Sequence, residues 1–433
     1  MMLRDKAALV RLPVLIGVGL LYGTPPVHAA ELTGELNVQA GATDNLLREV
    51  DPPDDTPTYS AGFVLDFEGD SQRYDAVFNA QYDYLNYDDD RVDNEWIGGA
   101  FGRLDLFLIP NRVTWQIADN YGQITTDPFQ PANVNNRENV NILQTGPIIQ
   151  LLPEGRNRLR FRGQLVKTNF ELQPNDSDSE LYELNFSRAT DRTSNFIVTA
   201  SEQNFEIESQ VENFRRRQAS VGWTTEGAQT TLSTSLGWTW LENGGEENEG
   251  VFLNFNMTRA LTQRGFLTIA ASTRYADQGD IFLSLQNTAE EFGQTFVQNN
   301  VGVQFRDTNA RISYVLNGDI QRIIFSVAWA DEDYEGRSDL GVDTQRARFY
   351  YRRELARDWY WDTDVRYLRR DYFDLDRLDE EYAGSIAIGR NLGVRTTLDL
   401  RYSYRDRNST AANAAFHENR VFLRLGYTPE WLE

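Results

Sequence analysis

The chain has 433 residues, a formal net charge of −23 and no cysteine. A charge this negative argues against nucleic acid as a partner, and the missing cysteines exclude a disulfide framework. The composition does not shift after the N-terminal region, so the sequence predicts one domain, too large for a single soluble β-sandwich.

The N-terminus has the pattern of a secretory signal. Three basic residues within the first eleven positions precede an apolar run over residues 12–22, and a small-residue cleavage site ends at Ala29. This predicts a signal peptide over residues 1–29 and a mature protein over 30–433. No later stretch reaches about 18 consecutive apolar residues, so no transmembrane helix is predicted.

Alternation of apolar and polar residues recurs along the mature chain. The apolar members of three such runs are Tyr74, Ala76, Phe78, Ala80, Tyr82 and Tyr84; Leu232, Leu236, Trp238 and Trp240; and Leu398, Leu400, Tyr402 and Tyr404. The intervening residues are mostly polar or charged and could not pack against a second sheet. An aromatic-rich apolar face opposite a charged face predicts a transmembrane β-barrel in the outer membrane of a Gram-negative bacterium, and a secreted soluble protein is the alternative.

Turn residues divide the chain into strands. Tight periplasmic turns are predicted at residues 68–72, 109–112, 153–156, 190–194, 226–228, 261–264, 317–319, 354–358 and 391–393. Longer extracellular segments are predicted at 43–57, 87–93, 125–138, 171–178, 207–212, 242–249, 277–309, 330–340, 371–379 and 406–416. The predicted fold is all-β, an antiparallel up-and-down barrel of about 20 strands with both termini in the periplasm, and eighteen strands is the alternative count.

Three local features carry their own expectations. Asn317-Gly318 is the strongest turn signal, since Asn-Gly favours the type I′ hairpin turn. Residues 277–309 contain some alternation near 296–305, and either extend a strand above the membrane or fold into the pore. The last strand is predicted over 418–427, with its apolar residues on one face.

Arginine recurs on the polar face of several strands. A charge facing lipid near the midplane costs about 2–4 kcal/mol, so these arginines are expected to face the lumen. They either brace the wall by pairing with aspartates or form a cationic path for an anionic or hydroxyl-rich solute. Together with three aromatic residues of the same face, the predicted lumen residues are Arg158, Arg160, Arg162, Arg346, Arg348, Arg352, Arg366, Arg401, Arg405, Arg420, Arg424, Tyr350, Tyr360 and Phe422.

The predicted loops are acidic, and catalytic patterns are weak. Solvation explains the loop charges, with bridging of Ca²⁺ or Mg²⁺ to lipopolysaccharide as the alternative. Asp88-Asp89-Asp90 lacks the glycine and spacing of an EF-hand, so no metal site or cofactor is predicted. Of the two histidines, His28 leaves with the signal peptide and His417 has no recognisable motif around it. The sequence therefore predicts no enzyme activity.

Short motifs give the chain a family resemblance. They are Thr43-Asp44-Asn45, Asp127-Pro128-Phe129, Asn135-Asn136-Arg137, Asn139-Val140-Asn141, Gly146-Pro147 and the Tyr/Arg-rich run Arg348-Phe349-Tyr350-Tyr351-Arg352. With these the chain resembles the outer-membrane β-barrel family associated with exopolysaccharide and exosortase (PEP-CTERM) gene clusters. The resemblance implies a barrel that assists polysaccharide secretion with an inner-membrane synthase or flippase system, and it supplies no catalytic residues.

The leading functional hypothesis is therefore a channel that assists export of an exopolysaccharide across the outer membrane. A general or anion-preferring porin for small solutes and a surface structural or adhesive barrel are the alternatives. The expected partners are outer-membrane lipid and lipopolysaccharide, the polysaccharide itself, the barrel-assembly machinery, and periplasmic or inner-membrane export components.

Overall fold

A computed structural model describes residues 28–52, 55–127, 129–172, 176–208, 213–277, 279–280, 282–283, 304–334, 340–356 and 358–430. The predicted signal peptide lies outside these ranges apart from His28 and Ala29, where the first strand begins. The strands are β1 His28–Thr43, β2 Thr56–Asp70, β3 Tyr74–Tyr87, β4 Glu95–Ile109, β5 Val113–Ile124, β6 Glu138–Leu152, β7 Asn157–Phe170, β8 Ser177–Ala189, β9 Ser194–Ile207, β10 Phe214–Glu226, β11 Thr230–Asn243, β12 Glu246–Ala260, β13 Gly265–Ala276, β14 Phe305–Asn317, β15 Gln321–Tyr334, β16 Val342–Ala356, β17 Trp359–Tyr372, β18 Arg377–Asn391, β19 Thr396–Ser409 and β20 Phe416–Tyr427.

The strands form one closed antiparallel sheet. Each strand pairs with its neighbour in sequence, and β1 pairs with β20 from Leu36 opposite Tyr427 to Thr43 opposite Arg420. Closure bonds every edge group inside the sheet, which a strand in lipid requires because no water is available there. The predicted barrel of 20 strands is confirmed. Within the described ranges, helical segments long and apolar enough to cross a bilayer are not found.

Short turns and longer segments alternate as predicted, and β1 begins and β20 ends on the side of the short turns. Two details differ from the prediction. Residues 242–249 are not a long loop, because β11 and β12 continue to a two-residue turn at Gly244 and Gly245, whose φ angles are 57° and 89°. Two positive φ angles are what a type I′ hairpin turn needs, and glycine adopts them without strain.

The turn at Asn317-Gly318 is of another kind. Neither residue is among the described residues with positive φ, so the predicted type I′ geometry is wrong here. Instead Gly318 is the first residue of a turn in which its N–H donates to the carbonyl of Gln321 at 2.8 Å. The two central residues of the turn are therefore Asp319 and Ile320. Gly318 precedes them and does not need the positive φ that glycine allows.

The outer face carries the apolar residues of the alternation. Leu36 and Val38 of β1 are exposed there, as are Val421, Leu423 and Leu425 of the last strand. Exposed aromatic residues cluster in two belts, one at the turn side (Trp115, Phe196, Trp223, Phe266, Trp359, Tyr427) and one towards the loop side (Tyr84, Trp96, Tyr182, Trp238, Trp240, Trp329, Tyr382, Tyr404). Paired aromatic girdles flank the apolar band of outer-membrane barrels, so this face meets lipid.

Above the loop-side belt the outer face becomes polar. Arg215 and Arg217 pair there with Glu202 at 3.8 and 3.0 Å, with the acid and base side chains 41–50 % exposed. The strands thus extend beyond the bilayer into water. Buried apolar side chains gather inside this extension, as in the stacked rings of Phe205 and Phe214, whose centroids are 4.1 Å apart. The packed part of the molecule is therefore the loop-side mouth of the barrel.

Candidate functional site

An arc of arginine, tyrosine and carboxylate side chains lines the inner face of β16 to β20. At its turn-side end the guanidinium of Arg352 lies 4.1 Å from the ring centroid of Tyr360. This ring occupies the space above Gly389 of the next strand, where a Cβ atom would stand only 2.1 Å from the tyrosine Cζ. The glycine thus lets an aromatic ring lie flat against the wall, with an arginine stacked on it.

We call the inward side chains that meet at one height of the barrel wall a level. At each of the next two levels of the arc, one aspartate binds two of the other side chains. Asp362 accepts the Tyr350 hydroxyl at 3.0 Å and pairs with Arg401 at 3.3 Å. One level higher, Asp364 pairs with Arg348 at 2.9 Å and Arg366 at 2.7 Å. A carboxylate that holds two arginines fixes their direction and leaves the level with net positive charge.

Three more predicted arginines of the arc also have acidic partners. Arg405 pairs with Glu381 at 3.2 Å, and Arg424 pairs with Glu35 across the β1–β20 seam at 2.6 Å. Arg420 approaches Glu418 at 3.7 Å, and that carboxylate also binds Arg48 at 3.0 Å. These pairs brace the wall, yet the side chains of Arg405, Arg420 and Arg424 stay 31–35 % exposed.

The three arginines of β7 stand on a separate part of the wall. Arg160 pairs with Glu183 at 3.3 Å, and Arg162 donates to Oε1 of Gln116 at 3.3 Å. Arg158 is exposed near the turn. The structure therefore does not bring this group into contact with the arc.

A neutral wall faces the lumen between these groups. At positions 231–239 of β11 and 250–258 of β12, the inward residues are serine, threonine, asparagine, glycine and Phe252, without any charge. Side-chain hydrogen bonds such as Thr258 to Thr268 at 3.2 Å satisfy part of this surface. Small polar side chains leave space in the lumen and offer both donors and acceptors to a hydroxylated solute.

Residues 125–137, here called the strap, cross the mouth of the barrel from the β5–β6 side. Phe129 packs against the cluster of Ala276, Phe305, Tyr334 and Leu340, and its ring centroid lies 5.5 Å from that of Tyr372. Arg377 donates to the Phe129 carbonyl at 2.5 Å. Since β5–β6 and β13–β18 are separated along the closed sheet, these contacts identify the face that carries them as the inner face.

The strap is held by its own polar side chains. Asn136 donates to the carbonyl of Asp127 at 2.8 Å and accepts the Asp127 N–H at 2.7 Å. At its other end Asn133 donates to the carbonyl of Leu47 at 2.6 Å, and Arg137 pairs with Glu95 at 2.7 Å. Asp127, Asn136 and Arg137, which belong to two of the motifs noted in the sequence, thus stabilise the fold of the strap.

A second segment also folds inward. Phe282 packs against Ile124, Val140 and Ile142 of β5 and β6, although it follows β13 in the chain. Asp280 anchors the segment by pairing with Arg216 at 2.8 Å. Both alternatives for residues 277–309 hold for a part of the described residues: Phe282 folds into the mouth, whereas Phe305–Asn309 extend β14 and pair with β13. Residues 284–303, with the alternating pattern near 296, lie outside the described ranges.

Burial changes the acid strength of this second segment. The backbone N–H of Asp277 donates to the carboxylate of Asp280 at 3.2 Å, and the backbone N–H of Asp280 donates to the carboxylate of Asp277 at 2.9 Å. Burial, followed by the charge of Asp280, raises the pKa of Asp277 to about 7. Burial also opposes ionisation of Asp280, but the Arg216 guanidinium outweighs it and holds the pKa of Asp280 below its usual range.

A cavity of about 480 Å³ lies between the strap and the arc. Its walls include Arg401, Arg420, Arg424 and Phe422 of the predicted lumen residues. Clusters of three or more side chains suited to hold a metal ion are not found within the described ranges.

Sequence reasoning missed the arginines closest to the mouth. Arg370, Arg377 and Arg407 are buried there, and Arg377 and Arg407 both bind Asp379, at 3.0 and 2.5 Å. Arg370 and Arg407 continue the alternation begun by Arg366 and Arg405, so the same parity rule could have found them. That any of these residues forms a solute path stays a prediction.

Comparisons with known proteins give fold likeness only. No protein-family model matches the chain, and no curated protein matches it in sequence. The siderophore receptor PirA from Acinetobacter baumannii is similar with a TM-score of 0.52 and 8 % identity, over 94 % of this chain and 81 % of that chain. The PirA receptor from Pseudomonas aeruginosa gives 0.44 and 12 %, over 94 % and 81 %. The FrpB iron transporter from Neisseria meningitidis gives 0.45 and 8 %, over 92 % and 82 %.

The closed sheet, the lipid-facing band and its aromatic belts define the class of protein. The chain is a β-barrel of the Gram-negative outer membrane. Within that class the likeness to PirA of Acinetobacter baumannii is limited to the fold. At 8 % identity, no functional residue of that receptor can be matched to a residue of this chain.

Proposed function

We propose that this barrel passes an exopolysaccharide across the outer membrane to the cell surface. The observation that carries the proposal is the arc, which repeats similar groups at successive levels: Arg352 on Tyr360, then Tyr350 with Arg401, then Arg348 with Arg366. Alternate residues of a strand are about 7 Å apart. A row of similar sites suits a linear polymer, whose units can pass from one level to the next.

Each contact in this row is weak enough for movement. The arginines already bind aspartates, so a sugar hydroxyl or carboxylate competes for a shared guanidinium and is released easily. Tyrosine faces can stack on the apolar side of sugar rings, and the neutral wall on β11 and β12 binds hydroxyls. No bond is made or broken in the barrel; the driving force comes from synthesis and export components in the cell envelope.

Secretion in a deletion strain tests the proposal. Without this protein, surface polysaccharide should fall and polymer should accumulate in the periplasm. Complementation with Arg401→Gln combined with Arg424→Gln should restore secretion only in part, while Arg264→Gln, in a periplasmic turn beside Asp319, should restore it fully. Normal secretion together with reduced uptake of small anions would instead identify a porin. Normal secretion with lost surface adhesion would identify a structural barrel.

A further inference from the structure

Two inward arginines of the arc differ from the rest. Arg346 of β16 and Arg370 of β17 form no side-chain hydrogen bond or ion pair within the described residues, and Nε of Arg346 is buried without a partner. They occupy diagonal positions on one face, since Thr344 pairs with Arg370 and Arg346 pairs with Leu368. Diagonal neighbours of a sheet lie within reach of long side chains.

The acidic side chains near these two arginines are already bound elsewhere. Asp379, opposite Arg370 in the sheet, accepts bonds from Arg377, Arg407 and Ser409. Glu381 pairs with Arg405 at 3.2 Å. On the other side Asp307 approaches Arg274 at 3.7 Å and accepts the Asn309 amide at 2.8 Å. Glu332 accepts the Tyr334 hydroxyl at 3.1 Å and acts on Arg346 by its charge. Within the described residues, these carboxylates therefore form no direct contact with the pair.

Burial makes the unpaired charges costly. Arg370 is only 6 % exposed, and a buried cation without a partner is destabilising unless an anion reaches it. We propose that Arg346 and Arg370 form an oxoanion site that takes a carboxylate or phosphate group. Two guanidinium forks on one face suit such a planar or tetrahedral group, because each can bind two oxygens.

The position of the site gives it a part in export. Arg370 lies two residues from Tyr372, which contacts Phe129 of the strap. An acidic group held here would stand directly below the strap, at the last level of the arc before the cell surface. Resting on the proposed export function, this assigns the polymer to the acidic polysaccharides, whose carboxylate units would dwell at this level.

Current block in planar bilayers tests the site. The full barrel is exposed to a glucuronate oligomer, to a neutral glucose oligomer of equal length, and to inorganic phosphate. Arg346→Gln combined with Arg370→Gln should weaken block by the glucuronate oligomer roughly tenfold to a hundredfold, as expected for hydrogen bonds to charged groups. Block by the glucose oligomer should not change. Arg215→Gln, which removes a paired arginine from the outer face of β10, should change glucuronate block less than about threefold.

Two further measurements test whether the variants still fold and whether the bound anion belongs to a polymer or is free. Removal of unpaired buried charge should keep or raise the temperature at which the barrel unfolds on gels, whereas a structural role for Arg370 would lower it and overturn the site. Equal losses in Arg215→Gln and in the double variant would overturn it too. Tighter block by the glucuronate oligomer assigns the site to the polymer, and tighter block by phosphate assigns it to a free anion. If phosphate block depends on both arginines but no oligomer enters, the site stands and the export proposal fails.

Discussion

Single side chains on β7 test which face meets lipid. Arg160 pairs with Glu183 on the inner face, and Phe161 is its outward neighbour. Phe161→Arg should destabilise the barrel by about 2–4 kcal/mol near the midplane, because the charge enters lipid. Arg160→Gln should cost less than about 1 kcal/mol, as for other exposed ion pairs. Unfolding of both variants from detergent or lipid measures the difference, and equal losses would show that the two faces are assigned the wrong way round.

Asp277 makes docking of the second inward segment depend on pH. Its pKa is about 7 in the docked segment against 3.8 for a free carboxyl. A raised pKa means that docking binds a proton, so docking is most stable below the free value and weakens as pH rises through the docked value. Conductance should therefore increase between about pH 5 and pH 8.

Replacement of the carboxyl isolates this effect. Asp277→Asn resembles the protonated acid, so the variant should stay closed at both pH values. Asp191→Asn, at an exposed turn on the opposite side, should keep the wild-type response. A pH response that survives Asp277→Asn would assign the titration to another group.

At the scale of elements, the strap decides how open the mouth is. Phe129 is its anchor, seated between the cluster of Ala276, Phe305, Tyr334 and Leu340 and the Tyr372 ring, with Arg377 bound to its carbonyl. Loss of a fully buried aromatic side chain costs about 3–5 kcal/mol of packing. Phe129 is partly buried, so its loss should cost a part of this free energy. Phe129→Ala should therefore release the strap and raise single-barrel conductance several-fold.

A control on the same segment separates release from general damage. Asn135 is exposed and its side chain does not contact the residues that bind Phe129. Asn135→Ala should therefore leave conductance unchanged. Cross-linking from a cysteine placed at the exposed residue 130 to the β17–β18 hairpin should be lost in Phe129→Ala and kept in Asn135→Ala. Unaltered conductance in Phe129→Ala would mean that the strap does not limit flow.

At the scale of the whole molecule, the even number of strands fixes sidedness. The start of β1 and the end of β20 lie at the same end of the barrel as the short turns, and the longer segments lie at the other end. Outer-membrane barrels place short turns in the periplasm, so a tag inserted at Asp89 should be labelled on intact cells and one at Gly318 should not. Labelling after outer-membrane permeabilisation serves as the control for Gly318. Surface labelling at Gly318 in intact cells would show that the barrel has the opposite orientation.

The sequence by itself determined the barrel and the two faces of each strand. Period-two alternation assigns every side chain to lipid or lumen, because a charge in lipid is too costly to tolerate. Turn residues then marked the joints closely enough to count the strands. The sequence also shows that the arginines of the arc face the lumen. This holds for Arg370 and Arg407 as well, since they occupy the same alternate positions as Arg366 and Arg405.

Only the tertiary structure decided which inward side chains meet. Parity gives the face of a residue but not its partner across the lumen, and the contact of Phe129 with Arg377 joins positions 248 residues apart. Nor does it say which arginines find a carboxylate. Arg366 shares Asp364, whereas Arg370, two inward positions further along β17, has no contact of this kind within the described residues. The reason is physical. Pairing depends on strand register, barrel curvature and loops that fold inward, and these are set by the whole closed sheet rather than by any local run of residues.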